Sequence, residues 1–550
     1  MPDWDREVDF VVVGSGGGGL VAAITAADAG LETIVVEKMP VVGGSTGMSG
    51  GVLWLPDNPL MREAGVADSV EDGLAHFEAV VGDVGPASSD ARREAYIVEG
   101  NAMVEELRAK GVRFLRADGY ADYHSDAKGG HERGRSIEPA PFDAARLGEL
   151  QDNVIPGLAS SIGMVVLTNE LRSIQYFNRS LRSLLVAIRV FARTMLAKVR
   201  RRTVLSNGAA LVGNLLAIAA DRGIPVWREA PLSELVVEDG RVVGAVVVHE
   251  GAPTRIRARR GVLLAAGGFG HNAEMRGRYG GDQPNDGRYS FANPGDTGEV
   301  LEMAVGLGAR TAQMDEAWWL PSAVPQLAGS TLGQARHRPR AILVNTEGRR
   351  FVSEADSMMV VGKAIYAESG GRCWAITDDV YRRRYANGKE RPGVLPEEWV
   401  TEGLVKRSDT LEGLAAQIEV DPAVLAETVA RYNADAVRGD DPQFGRGRTA
   451  YHRCMGDTGK GPNPSVDAVA TAPFYATEII PADVGTSGGV LTDEHGRVIG
   501  ADEQPIPGLY ATGNLTAGVM GRSYLGAGAS IASTMVFGYT AAKHAATAAA

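Results

Sequence analysis

Residues 9–37, DFVVVGSGGGGLVAAITAADAGLETIVVE, decide the fold. Residues 10–13 are an unbroken apolar, β-branched run, the pattern of a parallel strand buried on both faces. Gly14, Gly16 and Gly19 then supply G-x-G-x-x-G, and Gly17 and Gly18 thicken the turn. In this motif the first glycine permits the tight turn and the second lets a pyrophosphate approach the backbone. The third lets the helix pack close to the strand. The helix that opens here offers unpaired N–H groups and the positive end of its dipole to phosphates. Residues 34–36 read as a second strand, and Glu37 ends it where a carboxylate accepts hydrogen bonds from a ribose diol. With strand, turn, helix, second strand and acid in order, the stretch specifies a dinucleotide site far better than the glycines alone.

The chain of 550 residues is long enough for two or three domains with large cores. Its net charge of −12 argues against nucleic acid as a partner. Cys373 and Cys454 are the only cysteines, which gives neither a disulfide framework nor a metal cluster and fits a reducing cytoplasm. The polar, acidic start MPDWDREVD does not read as a signal peptide, and no uncharged run approaches the ~20 apolar residues of a membrane span.

Immediately after Glu37 and Lys38, a second small-residue loop contains Gly43, Gly44, Ser45, Thr46, Ser49, Gly50 and Gly51. Its position places it beside the same cofactor, where small side chains let backbone N–H groups reach a phosphate or a flat ring. Helices are expected around 60–64, 70–81 and 92–110. A long loop follows that carries Tyr120, Tyr123 and His124, and long loops in compact proteins are often functional. Residues 181–202, LRSLLVAIRVFARTMLAKVRRR, form a basic amphipathic helix, with Leu181, Leu184, Leu185, Ile188, Met195 and Val199 on one face. Two readings stand for this helix. It lies as a peripheral contact on an anionic membrane, or it docks on its own protein with the Arg face in water, and the second is preferred. A hairpin turns at Asp239-Gly240, and an apolar strand over 261–265 ends in Ala266-Gly267-Gly268, without bulk beneath a nucleotide. From 290 the apolar runs shorten and turns multiply. The fold class expected is therefore α/β: a Rossmann-like dinucleotide domain over 1–289, an inserted α+β catalytic domain over 290–468, and a return segment over 469–550. Near the C-terminus Gly513-Asn514 ends a short strand, and a Gly-rich loop through Ser530 and Ile531 opens a long apolar helix.

No second G-x-G-x-x-G follows a strand and opens a helix, so one dinucleotide binds and no nicotinamide domain is visible. The motifs VVVGSGGGGLVAAI, VVEK, GGSTGMSGG, LLAAGGF, IPGLYATGN and GAGAS together resemble the fumarate reductase/succinate dehydrogenase flavoprotein superfamily. The loop containing DYH, then GRSIEPAPFD, GGF-x-x-N-x-E-M-R-x-x-Y, DEAWW, TSGGVLTD and G-x-x-Y-x-G-x-G resemble its 3-ketosteroid Δ1-dehydrogenases, over essentially the whole chain. The resemblance implies FAD as cofactor, held at Gly14, Gly16, Gly19, Glu37, Ser45, Thr46, Gly51, Ala266, Gly267, Asn514 and Ser530. The small-residue loop lacks the His that binds flavin covalently in some relatives, so FAD should be non-covalent.

Tyr524 stands where fumarate enzymes place a carboxylate-binding Arg, and a phenol suits a ketone instead. The resemblance gives Tyr524 and the Gly528 N–H the carbonyl oxygen of a small apolar ketone, with Tyr123 assisting removal of the α-proton. Tyr120, Trp318, Trp319, Leu320 and Met358 are the expected pocket residues. The family's proton-abstracting Tyr follows R-F-x-x-E. After Arg350-Phe351-Val352-Ser353-Glu354 this chain has Met358 there, and a thioether is no base. Tyr123, Tyr120, Tyr289 or Tyr366 must take the proton, or the substrate and direction differ. The expected activity is α,β-dehydrogenation of a 3-ketosteroid or similar cyclic ketone, with an external, quinone-like electron acceptor. The alternatives are reduction of an enone or Δ4-ketosteroid, dehydrogenation of a smaller alicyclic ketone, and dicarboxylate reduction using Arg522.

Overall fold

The computed structural model describes residues 4–157, 163–280, 286–323, 336–386 and 390–548. It opens with β1 (Arg6–Val13), α1 (Gly17–Asp28) and β2 (Thr33–Val36). β1 and β2 are parallel, in register from Phe10 opposite Thr33 to Val13 opposite Val36. The unbroken apolar run of β1 is explained by its two faces. Phe10 and Val12 enter one core with Val35, while Val11 and Val13 enter a second with Ile34 and Val36.

The short α2 (Gly44–Met48) follows, and later come α3 (Thr168–Ile174), α4 (Leu181–Val199) and α5 (Asn207–Asp221). The sheet then gains β3 (Val226–Trp227), β4 (Leu232–Glu238), β5 (Arg241–His249) and β6 (Ala252–Leu264). β4 and β5 form the hairpin expected at Asp239-Gly240, and β5 continues antiparallel onto β6. α6 (Glu299–Gly306) packs on this sheet, with Val300, Leu301 and Ala304 buried in its second core.

A second sheet contains β7 (Ala317–Ala323) and β8 (Ala341–Val344), then, past α7 (Met358–Ser369), β9 (Cys373–Asp378), β10 (Val405–Ser408) and β11 (Phe474–Thr486). It is antiparallel, in the order β7-β11-β9-β8, with β10 also on β11. The chain returns to the first sheet through β12 (Arg497–Ile499) and β13 (Pro505–Ala511) and ends in α8 (Ala529–Thr547). The eight-stranded first sheet therefore has the order β12-β13-β6-β1-β2-β3, with parallel pairing from β13 to β3.

α6 belongs to the core of the first sheet and β11 to the second, so the chain passes between the sheets near 312 and again near 486. α1 and α8 cross at glycine. A Cβ on Gly18 would stand 2.5 Å from the Thr534 carbonyl oxygen, and one on Gly538 would stand 2.3 Å from that of Gly18. No side chain fits this approach, which fixes the angle at which the N-terminus of α8 reaches the C-terminal ends of the strands.

Candidate active site

The parallel strands β1, β2, β6 and β13 end together, the place where open α/β sheets bind ligands. A cavity of about 570 Å³ opens there, bounded by Gly14, Glu37, Ala266 and Gly513 at the strand ends. One half is built for a nucleotide. Glu37, buried at 7 % exposure, accepts the Ser15 N–H at 2.9 Å, the Ser15 hydroxyl at 2.6 Å and the Met39 N–H at 2.8 Å. The acid expected at the ribose thus also pins the glycine turn. Thr46 Oγ1 accepts the Gly17 N–H at 3.1 Å, tying the second small-residue loop to the start of α1.

The residues present fit a bound pyrophosphate and flavin. Neither α1, which starts after Gly16, nor α8, which starts after Gly528, has a side-chain cap, and both of these glycines line the cavity. A Cβ at Gly16 or Gly44 would meet its nearest neighbour only at 3.9 or 3.8 Å, so glycine leaves open the space that a phosphate would fill. Lys38, Ser45, Ser49, Gly50, Gly267, Asn514, Ser530 and Ile531 line the same cavity. Gly17, Gly18, Gly19 and Gly51 do not. The first three lie inside α1, and a Cβ on Gly51 would press on the backbone of Asn207. Among the described lining residues there is neither His nor Cys, and the described residues contain no His/Cys/Asp/Glu group that could hold a metal.

The loop over 291–298, FANPGDTG, was not read as part of the site, although its Asn-Pro-Gly-Asp run is a turn signature. The Ser45 hydroxyl accepts the Asn293 N–H at 2.8 Å and donates to Asp296 at 3.1 Å. Burial raises the Asp296 carboxyl to about 7, opposed by the Ser45 hydrogen bond and the charge of Lys38. Lys38 is the only cation among the described lining residues, and it is engaged by Thr297 and by an ion pair to Glu299.

The other half is aromatic. Tyr524 lines the cavity, its hydroxyl 2.9 Å from Ser530 Oγ and close to the Gly528 N–H. The Tyr123 ring stacks on Tyr524 at 5.6 Å, and the Tyr123 N–H donates to the Leu525 carbonyl at 3.0 Å. This joins the two loops that carry the phenols. Asp122, the neighbour of Tyr123, accepts the Trp54 indole N–H at 2.8 Å and pairs with buried Arg135 at 2.9 Å.

Tyr120 also lines the cavity. Arg172 lies 5.0 Å over its ring, and the Tyr123 ring stands 6.4 Å from it. Burial raises the Tyr120, Tyr123 and Tyr524 hydroxyls above an ordinary phenol, but at Tyr120 the Tyr123 hydrogen bond and Arg172 oppose the rise. Tyr451, which the sequence did not single out, packs behind Tyr123 with ring centroids 4.6 Å apart.

Trp318 and Leu320 face the cavity, and the Trp318 indole donates to Asn514 at 3.0 Å. Trp319 does not face it. Alternation along β7 turns it to the opposite side, 5.2 Å from Tyr366 and under Arg276. Met358 opens α7, half-buried, and does not line the cavity, nor do Tyr289 and Tyr366. Arg522 is held by Asp315 at 2.7 Å and Glu316 at 2.8 Å, outside the cavity lining.

The family model described as FAD binding domain matches residues 9–531. A 3-oxosteroid 1-dehydrogenase of Mycolicibacterium smegmatis is 37 % identical, over 98 % of this chain and 97 % of its own. A 4-oxocyclohexanecarboxylate 2-dehydrogenase of Sinomonas cyclohexanicum is 34 % identical, over 97 % and 92 %. The crystal structure of 3-ketosteroid delta1-dehydrogenase from Sterolibacterium denitrificans in complex with 1,4-androstadiene-3,17-dione superposes with a TM-score of 0.92. The identity is 34 %, covering 98 % of this chain and 99 % of that one.

Proposed function

The chain belongs to the FAD binding domain family, and on that premise we propose that it is an FAD-dependent dehydrogenase introducing a double bond α,β to the carbonyl of a 3-ketosteroid. The observation that carries this reading is the joint placement of the Tyr524 hydroxyl and the Gly528 N–H beside the Tyr120–Tyr123 pair, at the aromatic end of the cavity. An uncharged substrate fits, because Lys38, the one cation among the described lining residues, is already paired and Arg522 is taken by two carboxylates. A dicarboxylate would find no free partner among the described lining residues.

FAD would be held non-covalently by the glycine turn, Glu37, the Ser45–Thr46 loop and the start of α8, and when bound it supplies the acceptor for the β-hydrogen as hydride. The residues of the chain do the rest. Trp318 and Leu320 offer a flat apolar wall to the rings. Tyr524 and the Gly528 N–H donate hydrogen bonds to the carbonyl oxygen and stabilise the enolate as the α-proton leaves. The proton passes to the Tyr120–Tyr123 pair, at Tyr120 rather than Tyr123, because Arg172 and Tyr123 offset there part of the rise that burial causes. Met358 then needs no acid–base role. Electrons leave afterwards to an external, quinone-like acceptor.

The test is oxidation of 4-androstene-3,17-dione with an artificial acceptor, followed by product analysis. A new double bond in the ketone ring is expected. Turnover only with reduced dye and an unsaturated ketone would assign the opposite direction.

A further inference from the structure

Among the described residues, fourteen large apolar side chains stand exposed, and eight of them fall between Phe177 and Val199. They concentrate on α4, whose orientation is inverted relative to a helix docked on its own core. Its inward face is small or polar: Ser183, Val190 and Thr194 are buried, and the Thr194 hydroxyl accepts the Val165 N–H at 3.0 Å. Val190 packs with Val166, and Arg193 is pinned by Glu170 and the Val165 carbonyl. The outward face is apolar: Leu181 is 80 % exposed, Leu185 63 %, Ile188 54 %, Phe191 65 % and Val199 82 %. Their successive spacings of four, three, three and eight place them on one stripe. The preferred sequence reading, with the apolar face docked inward, is therefore reversed.

Charge identifies the occupant. Residues 181–202 carry seven basic residues and no acid, in a chain of net charge −12. Arg182, Arg189 and Arg200 flank the apolar stripe and are exposed. A symmetric dimer through this face would set one basic cluster against its copy. A single convex helix also offers no groove to a partner peptide. No described helix is long and apolar enough to cross a bilayer, so the helix would lie in the interface plane. We infer that α4 is a peripheral docking surface for an anionic bilayer, its leucines and Phe191 in the acyl boundary and its arginines on the headgroup phosphates. α4 rests on α3, whose Thr168 lines the cavity and whose Arg172 covers Tyr120. Resting on the reading of an apolar ketone as substrate, this places the cavity one helix away from the phase in which such a ketone dissolves.

The test is co-sedimentation of the full-length, FAD-loaded protein with vesicles of phosphatidylcholine alone or mixed with phosphatidylglycerol. Pelleting is expected with the anionic vesicles and should weaken as salt rises. Two variants, Leu185→Ser/Ile188→Ser/Phe191→Ser and Arg182→Glu/Arg189→Glu, should each weaken it by more than about tenfold, with flavin content unchanged. The charge-reversed variant keeps the test decisive should the triple variant not fold. Wild-type protein remaining in the supernatant, or pelleting equally with neutral vesicles, would overturn the proposal. So would a lipid-free dimer that the triple variant abolishes while vesicle binding is absent. The readout is protein in the pellet, so failure of the steroid reading would leave this result intact, and the reverse also holds.

Discussion

Tyr524 is the residue whose removal separates catalysis from folding most cleanly. Its hydroxyl faces the cavity while its ring is held between Tyr123 and Trp318, at 5.6 and 5.3 Å. Tyr524→Phe keeps that packing and loses one donor to the developing oxyanion, so kcat should fall by about 10²–10³-fold with flavin content unchanged. Steady-state kinetics on flavin-matched samples checks this. Proton transfer to buried phenols has a pH signature. Burial raises Tyr120 and Tyr123 above the ordinary phenol value, so the active phenolate grows as pH rises and kcat/KM should climb on the alkaline side. A profile that peaks in acid would remove the tyrosines from that role. Asp296 gives an independent pH effect, on stability. Its carboxyl rises from 3.8 to about 7 in the folded protein, so the stabilisation it contributes is full below the lower value and is lost as pH rises to the upper one. Asp296→Asn should flatten the dependence of Tm on pH across that window, as measured by calorimetry. Asp296 was missed from sequence because a buried acid in a turn carries no local pattern. Tyr524 stands out in the sequence by its motif and by the missing Arg, and the structure places it in the cavity lining.

At the scale of elements, β7 decides which of two adjacent tryptophans faces the cavity. Trp318→Phe should raise KM, because its ring lines the cavity, and leave Tm nearly unchanged. Trp319→Phe should lower Tm and leave KM unchanged, because its ring packs under Arg276 and against Tyr366. Kinetics and thermal melts on the two variants separate the faces. The sequence stretch DEAWW names both residues without saying which points inward, since that depends on pairing with β11. Local order was more legible. β1, α1 and β2 follow from apolar runs and glycines that need no tertiary information. α4 shows the limit: periodicity marked its apolar stripe but not the side it faces, which depends on how Arg193 and Thr194 anchor it to the 165–170 segment.

At the scale of the molecule, the two sheets meet where the nucleotide cradle and the phenols share one cavity. The N-terminal motif gave the cradle, and the return segment through β13 and α8 completes it from more than 450 residues away. Sheet membership is not legible in the sequence, because the pairing of β11 with β7 and β9 joins residues far apart in the chain. The proposed reaction requires that a ketosteroid deliver electrons to a flavin held in this cavity. The measurement is anaerobic mixing of the FAD-loaded protein with 4-androstene-3,17-dione while the visible flavin absorption is recorded. Loss of that absorption, slowed by Tyr524→Phe, is the expected result. A flavin band that the steroid leaves unchanged, in protein whose flavin dithionite still reduces, would contradict it.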